Sequence, residues 1–242
     1  MLRQLDIIID TTVATNSRMG LFAYVYRRTT AQILKEVELG NFEDNERMVK
    51  FDVAFANFYI DAYHAYSSGL QISKSWHFAF TKTEEPLTIL QHVMLGINTH
   101  INLDLALAVN AIMSGEELLE IERDFNRVNR ILSEIVNEMQ DRLGRVSPLL
   151  FLLDMVGENS DEKIINFSMA KARGVSWSNS NLLWSLGIEH QQGAIKEMDL
   201  VVLKLGEIIS SPKSKIVGFL LSVIGRFEEK NIGKVITTLR EN

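Results

Sequence analysis

Residues Gln91 to Ala108 read QHVMLGINTHINLDLALA, an apolar run that nonetheless holds two histidines, two asparagines and an aspartate. Val93, Met94, Leu95, Ile97, Ile101, Leu103, Leu105 and Leu107 would cover nearly the whole circumference of a helix. A helix apolar on all sides belongs at the centre of its fold. Its polar groups then need partners, because burying one unpaired costs on the order of several kcal/mol. The expectation is a central helix over about residues 86–110, opened by Pro86.

His100 and Asp104 are four residues apart, so they share a helix face, about 40° apart with a rise of roughly 6 Å. His-x-x-x-Asp on one face can be a two-ligand arm for a divalent metal such as zinc. It can equally be a hydrogen-bonded His–carboxylate pair. His92 lies about 80° round from His100 and roughly 12 Å away. Gly96, between them, leaves room for a ligand or for the close approach of another helix. Asn98 and Asn102 form a second four-spaced pair. The residues alone leave open a structural network, a metal site and a small-molecule site.

Outward from this run the chain reads as helix throughout. Residues 2–14 form a first helix. A second follows Ser17 as cap and stops at Gly40. A third spans about Asn45 to Tyr66, and a short fourth follows Ser73. Gly115 breaks the pattern. Beyond it Leu118, Ile121, Phe125, Val128, Leu132, Ile135 and Met139 recur at spacings of three and four, a surface helix with one apolar stripe. Asp161 is expected to begin a helix ending near Gly174. Residues 181–210 hold one helix or two joined near Gly193, and the tail holds one or two more. No stretch alternates as a strand would. The expected fold is all-α, a single domain over residues 1–242 built as a multi-helix bundle of eight to eleven helices around the central one.

Composition narrows the chemistry. Hydrophobic residues make up 46% of the 242, enough for a sizeable core. A formal net charge of -6 weighs against nucleic acid or an anionic membrane as a general partner. The chain has no cysteine, which excludes disulfides, thiol nucleophiles and thiolate metal sites. Asp6 and Asp10 interrupt the N-terminal apolar residues, so no secretory signal is expected and a cytoplasmic location is the default. The polar residues within 87–109 argue against a membrane span. Dinucleotide and phosphate loops, His-Glu-x-x-His and the Gly-x-Ser-x-Gly elbow do not occur.

The third helix can supply partners to His100 and Asp104, since Asn57, Asp61 and His64 stand among its aromatics. Facing helical pairs of this kind build metal sites in bundles. The candidate metal ligands are therefore His100, Asp104 and Asp61. His92 and Arg173 are candidate catalytic residues. Arg173, in ARGVSW, can clamp a carboxylate or phosphate, or cap the helix before it. Of Arg27 and Arg28, one is expected to point inward to a carboxylate. His77 and His190 have weaker claims.

HVMLGINTHINLDLAL, with YRRTT at Tyr26–Thr30, FANFYIDAY at Phe55–Tyr63 and KSWHFAF at Lys74–Phe80, resembles the bacterial domain-of-unknown-function family DUF5995 over nearly the whole chain. That resemblance implies a compact helical protein and assigns no activity; His92, Asn98, His100, Asn102 and Asp104 match its polar pattern. A weaker similarity is to helical zinc-dependent phospholipase C and single-strand nucleases, whose His-x-x-x-Asp pairs hold zinc. Here Gly96 stands where a pair begun by His92 would need a carboxylate, and Asn102 where a histidine would be expected. Two function classes follow: a metal-assisted hydrolase of an ester or phosphoester acting on a small-molecule substrate, or a non-catalytic helical protein or small-molecule binding module whose polar cluster is structural. Homo-oligomer formation is left open.

Overall fold

In the computed structural model, residues 1–153 and 169–241 are described, apart from the side chains at positions 133, 136 and 137. Among the described residues there are eleven α-helical segments and no strand. They are α1 (Leu2–Ala14), α2 (Met19–Glu38), α3 (Asn45–Ser67), α4 (Lys74–Thr81), α5 (Ile89–Thr99), α6 (Leu105–Ile112), α7 (Glu122–Val146), α8 (Met169–Leu186), α9 (Gln191–Ser210), α10 (Lys215–Phe227) and α11 (Ile232–Arg240). A π-helical turn, His100–Asp104, joins α5 to α6.

Local chemistry sets the helix ends. Ser73 caps α4 by accepting from the Trp76 N–H, and Asp44 caps α3 by accepting from Arg47 N–H. The central helix starts at Ile89, three residues later than Pro86 suggested. Thr88 and Gln91 close a capping box there, each satisfying the other's backbone. The Glu228 carboxylate, reaching over from beyond α10, accepts the Ile89 N–H at 2.9 Å. Ser17 is not the cap of α2; Arg18 holds that position without a side-chain bond. The break between α8 and α9 falls at Gly187, whose φ of +69° suits glycine, and not at Gly193. Helix α8 runs through Gly174 to Leu186. The expected start of that helix at Asp161 lies outside the described residues.

The α5–π–α6 rod is the axis of the bundle. Helices α2, α3, α4, α7, α8 and α9 all pack on it. Leu95, Leu103, Leu105, Ala106, Ala108 and Val109 along it are buried. The main hydrophobic cluster joins α1, α2 and α3 to α7 and α11 across this axis. Helix α7 shows the one-sided burial its sequence implied: Phe125, Val128, Leu132, Ile135, Met139 and Leu143 face inward. Gly96 marks the closest helix approach. A Cβ there would fall within 2.7 Å of three side-chain carbons of Phe22. The space beside Gly96 is thus filled by Phe22 of α2, and no ligand gap exists at that point.

Among the described residues no single helix is long and apolar enough to cross a membrane.

Candidate functional site: a buried His–Asp pair beside an apolar cavity

The four-residue spacing of His100 and Asp104 brings them together as expected, although the turn between them is π-helical. His100 Nδ1 and Asp104 Oδ2 are 2.9 Å apart, both groups being almost fully buried. The same Oδ2 accepts the indole N–H of Trp76 at 2.9 Å. An indole nitrogen can only donate, so Oδ2 is an acceptor. An ionised Asp104 with a neutral His100 protonated at Nδ1 satisfies all three groups. Burial pushes the His100 pKa down and that of Asp104 up, and their mutual contact opposes both shifts. In that arrangement the lone pair of His100 is at Nε2, which has no hydrogen-bond partner.

Aromatic rings set the imidazole in place. Phe55 stacks on it with centroids 3.8 Å apart and planes within 9°. Tyr26 meets it edge-on at 4.3 Å. Around this ring lie further buried oxygens: Tyr59 OH and one oxygen of Asp52 lack partners, and the Tyr26 phenol and the Thr30 hydroxyl have only each other. Burial raises the Asp52 carboxyl to about 7, against a small opposing pull from the N-terminal ammonium. Burial, with the charge of Asp52 adding to it, holds the Tyr26 phenol well above its ordinary range. Unpaired buried polar atoms are few in native proteins, each costing about 1–3 kcal/mol, so this concentration between α2, α3 and the π turn is informative.

His100, Phe55, Tyr26 and Asp52 border a cavity of about 650 Å³. Its walls come from α2 (Phe22, Val25, Tyr26), α3 (Asp52, Phe55), the central helix (Val93, Met94, Ile97, His100, Ile101) and the inner stripe of α7 (Val128, Leu132, Ile135, Met139). Leu150, Phe151 and Leu153 line one side, and Phe151 is also exposed. Arg173 of α8 lines it as well. Two more open depressions, of about 620 and 560 Å³, carry none of the unpartnered buried polar atoms.

Arg173 is 2% exposed and lies mid-helix, so it does not cap a helix end. Its Nε donates to Asn129 Oδ1 and its Nη2 to the Phe125 carbonyl, both at 2.6 Å. The guanidinium also sits 4.2 Å above the Phe125 ring. Neither hydrogen-bond acceptor carries a charge, and burial lowers the Arg173 pKa to about 9.

The other sequence candidates are dispersed. His92 is buried, but it is not among the cavity-lining residues, and its ring has no partner beyond a backbone contact with Leu87. Burial, with the nearby charge of Arg18, pushes its pKa down to about 3. Asp61, His64 and Asn57 lie on the exposed face of α3, away from His100, and His77 and His190 are exposed. Among the described residues no three metal-ligating side chains gather at one point. Asn102 donates to Asn98, which donates to the Val202 carbonyl at 2.9 Å, a chain that ties the central helix to α9. Both Arg27 and Arg28 pair with carboxylates, Asp6 and Glu138. Sequence reasoning missed Tyr26 and Asp52. An aspartate inside KFDVAFANF was the available signal for the latter.

Fold and site define a class: an all-helical bundle enclosing an apolar cavity with a buried polar margin. The model of a family of unknown function, DUF5995, matches residues 1–212, and the chain belongs to that family. No curated protein and no solved structure matches the chain.

Proposed function

We propose that this protein binds a small molecule with an extended apolar part inside the cavity between α2, α5 and α7. The carrying observation is the cavity itself: about 650 Å³ of space walled mainly by apolar side chains and bordered by buried polar groups without partners. This is the make-up of ligand pockets in general, apolar walls with a few convergent polar groups. Each buried methylene of a ligand contributes about 0.8 kcal/mol. A chain of about eight therefore supplies on the order of 6 kcal/mol before the cost of association is subtracted. His100 Nε2, as an acceptor fixed by Asp104, supports recognition of a donor on the ligand. Titration with a fluorescent aliphatic probe tests the reading. Saturable binding is expected in the wild type and its loss in Ile97→Trp, which fills the cavity from a half-buried position. Equal binding by both proteins would defeat the proposal.

A second reading, hydrolysis of an ester bound in the same cavity, is favoured by one observation. An imidazole oriented by a carboxylate, with Nε2 unpartnered, is the arrangement of a general base. In that case ester turnover is lost in His100→Phe while probe binding persists. Wild type inactive towards short- and long-chain esters argues against it. Metal-assisted hydrolysis would need a third ligand in addition to His100 and Asp104.

A further inference from the structure

We infer that the ligand is a straight-chain monocarboxylate, whose carboxylate pairs with Arg173. The inference rests on the cavity being a binding site and specifies what it takes.

The argument begins with an unbalanced charge. Arg173 is almost wholly buried and lines the cavity. Its hydrogen bonds go to an amide oxygen and a backbone carbonyl, and Nη1 makes none to the described residues. Among the described residues no salt bridge involves it. Buried charges in proteins are ordinarily paired, because an isolated one is costly to desolvate. A pure packing role, pinning α8 to α7, would be met by an uncharged side chain without that cost. Nε and Nη2 are held by Asn129 and Phe125, so the guanidinium plane is fixed before any ligand arrives. Such pre-organisation is what makes arginine effective against carboxylates.

The size of the charge selects the head group. One uncompensated cation balances one negative charge. A dianionic phosphate would leave a net negative charge buried in a cavity that Asp52 already borders. An uncharged alcohol or ester would leave Arg173 unbalanced. Most of the rest of the wall is aliphatic and aromatic, with Val128, Leu132 and Ile135 on the same helix that positions the guanidinium, while Thr29, His100, Gln140 and the carboxyl groups of Asp52 and Asp141 are its polar members. A chain lies along those side chains with its head at Arg173.

Calorimetric titration of the full-length protein with dodecanoate, dodecanol, methyl dodecanoate and dodecyl phosphate tests this. The wild type should bind dodecanoate at least about tenfold more tightly than the alcohol or the methyl ester, the value of one charge-assisted contact. Arg173→Met should lose that preference while keeping its affinity for dodecanol; thermal melting checks that it is folded. The head-group comparison in the wild type stands even if the variant is unstable. Equal binding of acid and alcohol overturns the carboxylate assignment and leaves the cavity reading intact. No binding of any of the four overturns both. An acid preference that survives in folded Arg173→Met removes Arg173 from the role. Tighter binding of the phosphate overturns the single-charge argument.

Discussion

Replacing Asp104 by alanine removes the acceptor of two buried donors at once, the Trp76 indole N–H and the His100 Nδ1–H. Each buried donor left unsatisfied costs about 1–3 kcal/mol. Removing the carboxylate also relieves the cost of burying its charge, so the net loss expected is about 2–4 kcal/mol. His100→Phe isolates the cause, since a phenyl ring preserves the stack on Phe55 and carries no donor. The double variant Asp104→Ala/His100→Phe therefore has one orphan fewer than Asp104→Ala. The two substitutions should be coupled by about 1–3 kcal/mol, as expected of contacting residues. Urea unfolding of the four proteins, followed by circular dichroism, gives that number. Chelator should leave every midpoint unchanged. Additive losses in the cycle, or a cost below about 0.5 kcal/mol for Asp104→Ala, refute the hydrogen-bond reasoning. A wild-type midpoint that falls on adding chelator would point instead to a metal on His100 and Asp104.

Gly96→Ala should destabilise by about 1–3 kcal/mol or more, because Phe22 cannot withdraw without parting α2 from α5. Gly206→Ala, whose added carbon would meet the Phe78 ring at 3.3 Å, should cost distinctly less in the same melt. The raised Asp52 pKa of about 7 gives a pH signature. Its stabilisation is complete below the unfolded value of about 3.9 and is lost as pH rises through about 7. Wild type measured against Asp52→Asn should thus lose up to about 1.4 kcal/mol per pH unit between about 4 and 7, and a flat difference would contradict the burial of that group. His92, held down to about 3, acts in the opposite sense, stabilising above its unfolded value of about 6.5 and failing as pH falls towards 3. His92→Leu should therefore resist acid better than wild type over that window, as denaturant midpoints at a series of pH values would show.

The central helix was legible because eight apolar side chains around its circumference leave no face for water. The His100–Asp104 pair was legible because four residues along a helix restore the same face, and a π turn changes that geometry too little to separate them. The same logic failed at Gly96. A missing side chain signals close approach or open space alike, and only the position of Phe22 on a distant helix decides between them. Asp61 and His64 were read as partners from their spacing, yet spacing within α3 carries no information on which way α3 is turned. The cavity was the least accessible feature. It arises where part of the inner stripe of α7 stands off from α2 and α5, which it meets elsewhere, and an apolar stripe reads the same whether it contacts its neighbours or borders a void. Arg173 was marked by its place before a glycine and an aromatic, but its burial follows from the docking of α8 on α7.

Soaking crystals with a fatty acid brominated at the chain end, and locating bromine by anomalous scattering, tests the central claim most directly. The account places the bromine inside the bundle, within the walls formed by Val93, Ile97, Leu132 and Ile135. Bromine found only on the outer surface, or no ordered bromine in crystals shown to be permeable to it, would contradict a ligand-binding cavity.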